Sequence, residues 1–520
     1  MKAHSVWTPF ACQSCEGKGC LECRSTGQGP QYRASASGVN RLLYGGAAGG
    51  GKSAWLIAEL LRDVHQSTYR GLLLRESLQD ARDLVDKAQN LYKQLPQIYS
   101  TRNGWNGQRS EFTFKSGAKI RVGYLRTIAD IHHYDGPGYD DLMFDELVHF
   151  NEECVRQLLA RGRTNIPGRK VRMRCTSNPP RPSEGQWVRD WWAPWLRRTT
   201  YPWPAEPGEI RYFLPGHDAD GNPTIDWLPP TVDAKAWLRA RSKDARHPPK
   251  LQTASFIPAT VRDNPIYASS GYEDQLRLQS LVRYKQLALG DWEAEYTAGN
   301  VFRSDWWGAP ITAQGRLPSA IVRARVRFWD RAASEVTPTY PDPDWSAGVL
   351  LALTTSDEIV VEDVIHGRWV AGLVDDVIEG VAGMASTRER LTAEFRRRRL
   401  DVPPIDPPGT LCVMEEDPGQ AGKGQADAFL QRMRAAGITA RTITARSRGG
   451  KVDRADAASA ACYRGRVKTL AVPWRTEFIA ELSAFPTKGI HDDQVDAFTG
   501  AFDMLEDYRQ HRRWTLGRDR

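Results

Sequence analysis

The hydrophobic pattern changes period along the chain, and the changes mark different kinds of element. Near the N-terminus the apolar run "RLLY" at 41–44 meets the small-residue stretch "GGAAGGGKS" at 45–53, and "AWLIAELLRDV" then repeats its apolar positions at helical spacing. Two more short apolar runs, within "YDDLMFDELVHF" and "VRMRCTSNPP", stop abruptly at polar residues or proline and read as buried strands of a parallel sheet. Past residue 320 the period becomes two. In "IVRARVRFWD", Val322, Ala324, Val326 and Phe328 alternate with Arg323, Arg325 and Arg327, a strand that ends at Asp330. "SAGVLLALTT" and "EIVVEDVIHG" follow as strands of an antiparallel meander, and "GLVDDVIEGVAGMASTRERLTAEFRRRR" reads as one long helix. "GTLCVMEEDPGQAGKGQADAF" places a buried strand that ends in Glu415, Glu416 and Asp417, and "GIHDDQVDAFTGAFDMLEDY" opens a helix with Asp492, Asp493 and Asp496.

These patterns divide the chain. A short cysteine-rich segment at 1–33 precedes an α/β domain at 34–205, and a second α/β domain occupies 301–505 before a basic tail at 506–520. Between the two domains, 206–300 is rich in Pro, Gly and Trp, as in "YPWPAEPGEIRYFLPGHDADGNPTIDWLPPTVD", which predicts loops and short hairpins of a linker or lid. Its last part, "GYEDQLRLQSLVRYKQLALGDWEAEYTAGNVF", predicts a linker helix with a G-D-W turn, packed on the first domain.

A length of 520 residues with 41% hydrophobic content supports more than one core. No apolar run approaches the roughly 20 residues of a membrane span, and "MKAHSVWTPFACQ" lacks the apolar core of a secretory signal, so a cytoplasmic protein without a membrane partner is expected. Lys and Arg number 71 against 63 Asp and Glu, a net charge of +8, with arginine concentrated in "EFRRRRL", "ARTITARSRGGKVDR" and "YRQHRRWTLGRDR". Such runs suit a polyanionic partner gripped by its phosphates rather than read by its bases.

The small-residue stretch is a phosphate-binding pattern. Gly46, Gly51, Lys52 and Ser53 meet G-x-x-x-x-G-K-[ST], and Gly49 and Gly50 complete a loop whose N–H groups can wrap a phosphate chain. Lys52 is expected on the β and γ phosphates of ATP and Ser53 on Mg²⁺. Asp145, at the end of an apolar strand, is the second metal partner, and Glu146 the base for an attacking water. Thr176, Ser177 and Asn178 end another strand as candidate sensors of the γ phosphate. Arg75, Arg161 and Arg163 are candidates for an arginine that reaches the nucleotide.

In the second domain the carboxylates at Asp330, at Glu416 or Asp417, and at Asp493 with Asp496 sit at strand ends or a helix start, where they can converge on Mg²⁺ or Mn²⁺. Two such ions suit phosphodiester hydrolysis. Asp493 and Asp496 share one face of a helix, so the third position can be shared between them. At the N-terminus, Cys12, Cys15, Cys20 and Cys23 form two C-x-x-C knuckles that can surround one Zn²⁺. The first knuckle resembles the cysteine-rich repeat of J-domain co-chaperones, but Ser25 stands where a glycine belongs, which leaves metal binding and not chaperone activity. Cys154, Cys175, Cys412 and Cys462 are scattered, as buried apolar groups are.

Taken in order, the phosphate loop, "LMFDE", "TSNPP", "GDW", "WDRA", "EEDPGQAGKG" and "HDDQVDAF" resemble the large terminase subunit of tailed double-stranded DNA bacteriophages, from about residue 40 to about 505. The resemblance implies a P-loop NTPase domain with a parallel central sheet followed by an RNase H-like nuclease domain, with the zinc knuckle outside the shared pattern. It implies an ATPase that translocates viral DNA into a procapsid and an endonuclease that cuts the concatemer. Its implied partners are double-stranded DNA, the portal protein, the procapsid, the small terminase subunit and further copies of the chain in a ring. The implied location is the host cytoplasm, with the protein virus-encoded and absent from the mature virion. By this likeness Lys52, Ser53, Asp145 and Glu146 take motor roles, and Asp330, Asp417 and Asp493 nuclease roles. Two other classes compete. A cellular helicase-nuclease would carry further nucleic-acid motifs between the phosphate loop and Asp145, and none is present; a zinc-finger, transposase-like binding protein would not need Lys52 and Glu146.

Overall fold

The computed structural model describes residues 29–182, 184–217, 223–241, 250–312, 315–332, 342–416, 420–444, 450–487 and 489–511. Cys12, Cys15, Cys20, Cys23, Asp417 and the end of the basic tail lie outside the described residues, as does the side chain of Glu416. The chain divides into two compact units, one up to Arg277 together with Tyr284–Ala294, the other Leu278–Arg283 with Glu295 onward.

The first unit is built on a ten-stranded sheet. Six adjacent strands of it are parallel, in the spatial order β5 (Lys119–Tyr124), β2 (Arg70–Arg75), β6 (Asp141–Phe144), β7 (Arg172–Ser177), β1 (Arg41–Gly46) and β10 (Gln252–Ala259). Antiparallel pairs extend both edges, β3 (Trp105–Asn106) with β4 (Glu111–Thr113) beside β5, and β8 (Arg211–His217) with β9 (Pro223–Trp227) beside β10. The stretch 206–300, expected as a linker and lid, therefore supplies three strands of this sheet, with β10 paired directly to the strand that enters the phosphate loop. Leu72, Leu74, Leu142 and Phe144 pack toward one face and Leu42, Tyr44, Leu73 and Met143 toward the other, so the central strands are apolar on both sides.

The second unit has a six-stranded sheet. The predicted meander is present: β11 (Val322–Asp330), β12 (Ser346–Thr354) and β13 (Ile359–Gly367) pair antiparallel. β14 (Leu411–Glu416) runs parallel to β11, β15 (Ala440–Thr444) parallel to β14, and β16 (Val467–Thr469) parallel to β13. The spatial order is β15-β14-β11-β12-β13-β16. Phe328, Val413 and Leu351 face a layer containing the helices Lys451–Tyr463, Arg475–Ala484 and Asp493–His511; Trp329, Cys412 and Met414 face the helices Ala371–Val381 and Ala385–Arg397. The long helix expected from 372 onward is two helices, because the chain reverses at Gly383, whose φ of 97° few other residues adopt. Gly500 marks a close approach: a Cβ there would stand 2.5 Å from the Phe328 ring. The helix Asp493–His511 thereby lies tight on β11, which brings its first turn to the end of that strand.

The arginines that alternate along β11 do not all face water. Arg327 is fully buried and bridges Asp363 and Asp406, each at 2.6 Å, and Arg325 pairs with Glu362 at 2.7 Å. Helices cover both faces, so the second face of the period-two pattern became a buried ionic layer; removing one partner of such a pair costs roughly 3–5 kcal/mol.

Candidate active sites of the two units

Because β7 lies between β1 and β6, the residues after β7 stand between the phosphate loop and the Asp145–Glu146 pair. Their hydrogen bonds follow from this order. Lys52 is buried in the loop, where its Nζ donates to the Ala47 carbonyl and, at 2.8 Å, to Asn178 Oδ1. Burial pushes its pKa down to about 8 against the pull of Asp145 and Glu146. Ser53 Oγ donates to the Asp145 carboxylate at 2.9 and 3.1 Å, and Thr176 Oγ1 donates to the same group. Phosphate loop, Asp145 and the end of β7 thus form one cluster.

Arg75 approaches from the other side, at the end of β2. Its Nε and Nη2 donate to Asp145 Oδ2 at 2.8 and 2.6 Å, and its Nη1 lies 3.1 Å from Glu146 Oε2. Arg75 is thus engaged with the acidic pair of its own unit. Arg161 pairs with Asp135 at 2.5 Å, and Arg163 donates to the Gly136 carbonyl at 3.4 Å. Glu146 sits at φ 60° and ψ 58°, a left-handed conformation rare for a residue with a Cβ, and strain of this kind collects at functional positions. Its side chain is 35% exposed while that of Asp145 is 1% exposed, so Asp145 is fixed and Glu146 is open to solvent. His149, 3.6 Å from Glu146, has its pKa raised by a hydrogen bond with Glu184.

Ala259, Asn264 and Leu287 of the same unit bond to the loop. Ala48 N–H donates to the Leu287 carbonyl at 2.7 Å, Ala47 N–H to the Ala259 carbonyl at 2.8 Å, and Asn264 Nδ2 to the Gly49 carbonyl at 2.8 Å. Gln31 Nε2 donates to the Gly51 carbonyl at 3.1 Å.

In the second unit Asp330 ends β11 and Glu415 lies on the neighbouring β14. The parallel register pairs Trp329 with Met414, so Asp330 and Glu415 are the next positions along. Strand alternation puts Glu415 on the side of Leu411 and Val413, which share a core with Phe328 and the helix Asp493–His511. Asp493 and Asp496 come from the first turn of that helix. The pKa of Asp330 is raised well above the usual carboxylate range by burial and then by the charges of Asp496, Glu415 and Asp493. Burial also lifts Asp493 to about 6, opposed by the Trp345 N–H, which donates to its Oδ2 at 3.2 Å. Asp496 is neutralised by Arg454 and by Lys451 Nζ at 2.9 Å, and Lys451 also reaches Asp492 at 2.7 Å.

The structure thus gathers Asp330, Asp493 and Asp496 as expected from sequence, and adds three residues that the sequence pattern did not single out as members of the site: Glu415, Lys451 and Arg454. Alternation was the missed signal for Glu415, since Leu411, Val413 and Glu415 share a parity with the core face. Glu416 ends β14 with its backbone in register with Thr444.

Two family patterns match. That described as "Terminase large subunit, T4likevirus-type, N-terminal" covers residues 43–308, more than half of the chain. That described as "Terminase RNaseH-like domain" covers 327–505. No curated protein sequence matches. Among solved structures, the large terminase of a thermophilic bacteriophage is 14% identical, over 92% of this chain and 98% of that one, at a TM-score of 0.49. The HK97 bacteriophage large terminase is 11% identical over 90% and 91%, at 0.26. The large terminase nuclease of the thermophilic phage G20c, solved with bound zinc, is 14% identical over 36% and 84%, at 0.22. With its N-terminal unit matched by one pattern and its C-terminal unit by the other, the chain belongs to the terminase large-subunit family, an ATPase joined to an RNase H-like nuclease for viral DNA packaging.

Proposed function

We propose that the first unit hydrolyses ATP with Mg²⁺ to move double-stranded viral DNA, and that the second unit cuts the DNA concatemer with Mg²⁺ or Mn²⁺. The observation that carries this reading is the presence in one chain of two sites of different chemistry, the Lys52–Ser53–Asp145–Asn178 cluster and the carboxylate group around Asp330.

Nucleotide and metal fit the first site. A lysine amine buried deeply enough to fall to about 8 gains from a phosphate partner, and Ser53 with Asp145 offers the oxygen donors that Mg²⁺ prefers. Lys52 then balances phosphate charge, Asn178 and the Ala47 carbonyl orient its amine, and Thr176 fixes Asp145. Glu146 acts as the base that takes the proton of the attacking water. Arg75 restrains Glu146 in the structure described, and its release toward the phosphates would free that base.

Divalent ions fit the second site for an electrostatic reason. Burial, and then the charges of Asp496, Glu415 and Asp493, raise the pKa of Asp330, and divalent cations drawn among these carboxylates would offset that repulsion; as the described side chains stand, no three of them are arranged around a single ion. Divalent ions bound there would neutralise charge at the phosphodiester and activate a water for attack. Asp330, Glu415 and Asp493 would hold them, while the Trp345 amide orients Asp493, and Lys451 and Arg454 fix Asp496 beside them. Asp417 remains a candidate for the same set.

The partners expected on this reading are the portal protein, the procapsid, the small terminase subunit and a ring of further copies, with action in the host cytoplasm. Among the described residues no helix is long and apolar enough to cross a membrane. Cys12, Cys15, Cys20 and Cys23, which lie outside the described residues, would hold one Zn²⁺ on this reading. One preparation tests the core of the reading: ATP hydrolysis with and without linear duplex DNA, and nicking of supercoiled plasmid in Mg²⁺ and in Mn²⁺. DNA-stimulated hydrolysis with metal-dependent nicking is the expected result; hydrolysis indifferent to DNA refutes a translocating motor, and nicking that persists in EDTA refutes the metal site.

A further inference from the structure

A cavity of about 120 Å³ opens on the first unit between the helix Leu78–Tyr92 and β5, and three arginines line it: Arg82, Arg109 and Arg121. Among the described residues no carboxylate lines it. Asp83 and Asp86 flank Arg82 on its own helix without an ion pair to it among the described residues, and three other acids close by in the chain are bonded elsewhere. Glu111, opposite Arg121 in the ladder, takes Lys119 at 2.8 Å; Glu76 takes Arg126 at 3.2 Å; Asp80 is bound by Ser77. Arg121 is anchored, its Nη1 donating to the His133 carbonyl at 2.7 Å and its guanidinium 5.1 Å from the centre of the Tyr134 ring. Arg82 and Arg109 are exposed and make no ion pair among the described residues. The turn that carries Arg109 is held open by Ser110, a residue at φ 48°. One anchored and two unpaired guanidinium groups around a hole the size of about four waters give it the charge an anion would meet, apart from the phosphate loop.

We infer that Arg82, Arg109 and Arg121 grip a phosphate of the DNA backbone, and that this contact is read by the ATPase site. The inference rests on the DNA-translocation reading above. A backbone phosphate suits the site because three guanidinium groups and no carboxylate line it, with Leu78 the one exposed large apolar side chain at its rim. The route to the catalytic pair is short. Tyr124, in the cavity wall, is the register partner of Arg75, and Arg75 is bonded to both Asp145 and Glu146. The same strand end continues through Ser77, whose side chain caps the helix that bears Arg82. A phosphate that draws Arg82 and Arg109 inward therefore loads two neighbours of Arg75 at once.

The test is the full chain carrying Arg82→Gln with Arg109→Gln, in an Asp330→Asn background that keeps the DNA intact. Basal hydrolysis should stay within about twofold of the parent, since neither arginine touches the nucleotide site. Stimulation by a short duplex should fall by about tenfold or more. The slope of log binding constant against log salt should flatten by about one, as expected for one lost phosphate contact. Arg121→Gln should give the same loss, and Arg82→Lys with Arg109→Lys should restore part of it. If the parent is stimulated and the double variant is stimulated equally with an unchanged slope, the inference is wrong while the motor reading stands. If the parent itself ignores DNA, both fall. If DNA stimulation is intact but self-association is lost, the cavity is a protein contact and the inference is overturned.

Discussion

Asp493→Asn tests the acidic site by stability as well as by activity. In the folded chain Asp493 has its pKa raised from the ordinary 3.8 to about 6, chiefly by burial, so the folded state holds a proton that the unfolded state has released across that interval. A raised carboxyl stabilises the fold below its unfolded pKa and loses that contribution as pH rises through the folded value. At pH 8, without metal, the ionised group is therefore a cost. The full shift corresponds to roughly 3 kcal/mol. Because the group is partly exposed, solvent screening reduces this to about 1–2 kcal/mol. Asparagine keeps the shape and an oxygen for the Trp345 N–H while removing the charge. Melting of the second unit in EDTA should rise by about 2–6 °C at pH 8, with little change near pH 4. Adding Mn²⁺ at a hundredfold excess over Kd should stabilise the parent by about 2.7 kcal/mol, seen as a higher melting temperature, and should barely move the variant. Plasmid nicking should drop by orders of magnitude while ATP hydrolysis persists. A variant that is less stable than the parent by the same amount at both pH values, or whose melting still responds fully to Mn²⁺, would refute the reasoning.

Lys52→Ala should lower ATP hydrolysis by at least about a hundredfold and leave plasmid nicking within about twofold in a hydrolysis-independent assay, because the two sites belong to separate units. Glu415→Gln should abolish nicking and Glu416→Gln should retain it; the reverse result would move the metal ligand to Glu416. Metal analysis of protein prepared without chelators should give about one zinc per chain, absent after Cys12→Ser with Cys15→Ser, with both activities retained.

Much of this was legible because it is local. The phosphate loop is a property of a few consecutive backbone units and one lysine, so "GGAAGGGKS" announces it without tertiary information. The meander was legible because the apolar periods of β11, β12 and β13 are unbroken and the three strands follow one another in the chain. What failed needed knowledge of neighbours. Arg325 and Arg327 look like a solvent face until Asp363, Asp406 and Glu362 arrive from elsewhere in the chain. Glu415 is one of three adjacent acids, and only the register against β11 shows that it stands beside Asp330. Arg75 was one of three candidates to reach a nucleotide, and only the strand order shows that it stands against Asp145 and Glu146.

Charge shows the same limit most sharply. The run "ARTITARSRGGKVDR" is basic enough to read as a grip on a phosphate backbone, yet Lys451 and Arg454 from it are spent on Asp492 and Asp496. In "EFRRRRL", Arg397 and Arg398 both turn back to Glu394, at 2.5 and 2.7 Å. Arg82 and Arg109 belong to no basic run: Arg82 lies between Ala81 and Asp83, and Arg109 between Gln108 and Ser110. They are nevertheless arginines left without an ion pair, among the described residues, beside a cavity that no carboxylate lines. A polyanion meets net unpaired charge at a surface, not the density of arginine along a chain, and pairing is decided by which strands and helices the fold sets side by side. For this chain, therefore, the phosphate contacts that depend on sequence runs should be weak individually, and the steepest salt dependence should come from a pair of arginines that no charge pattern marks.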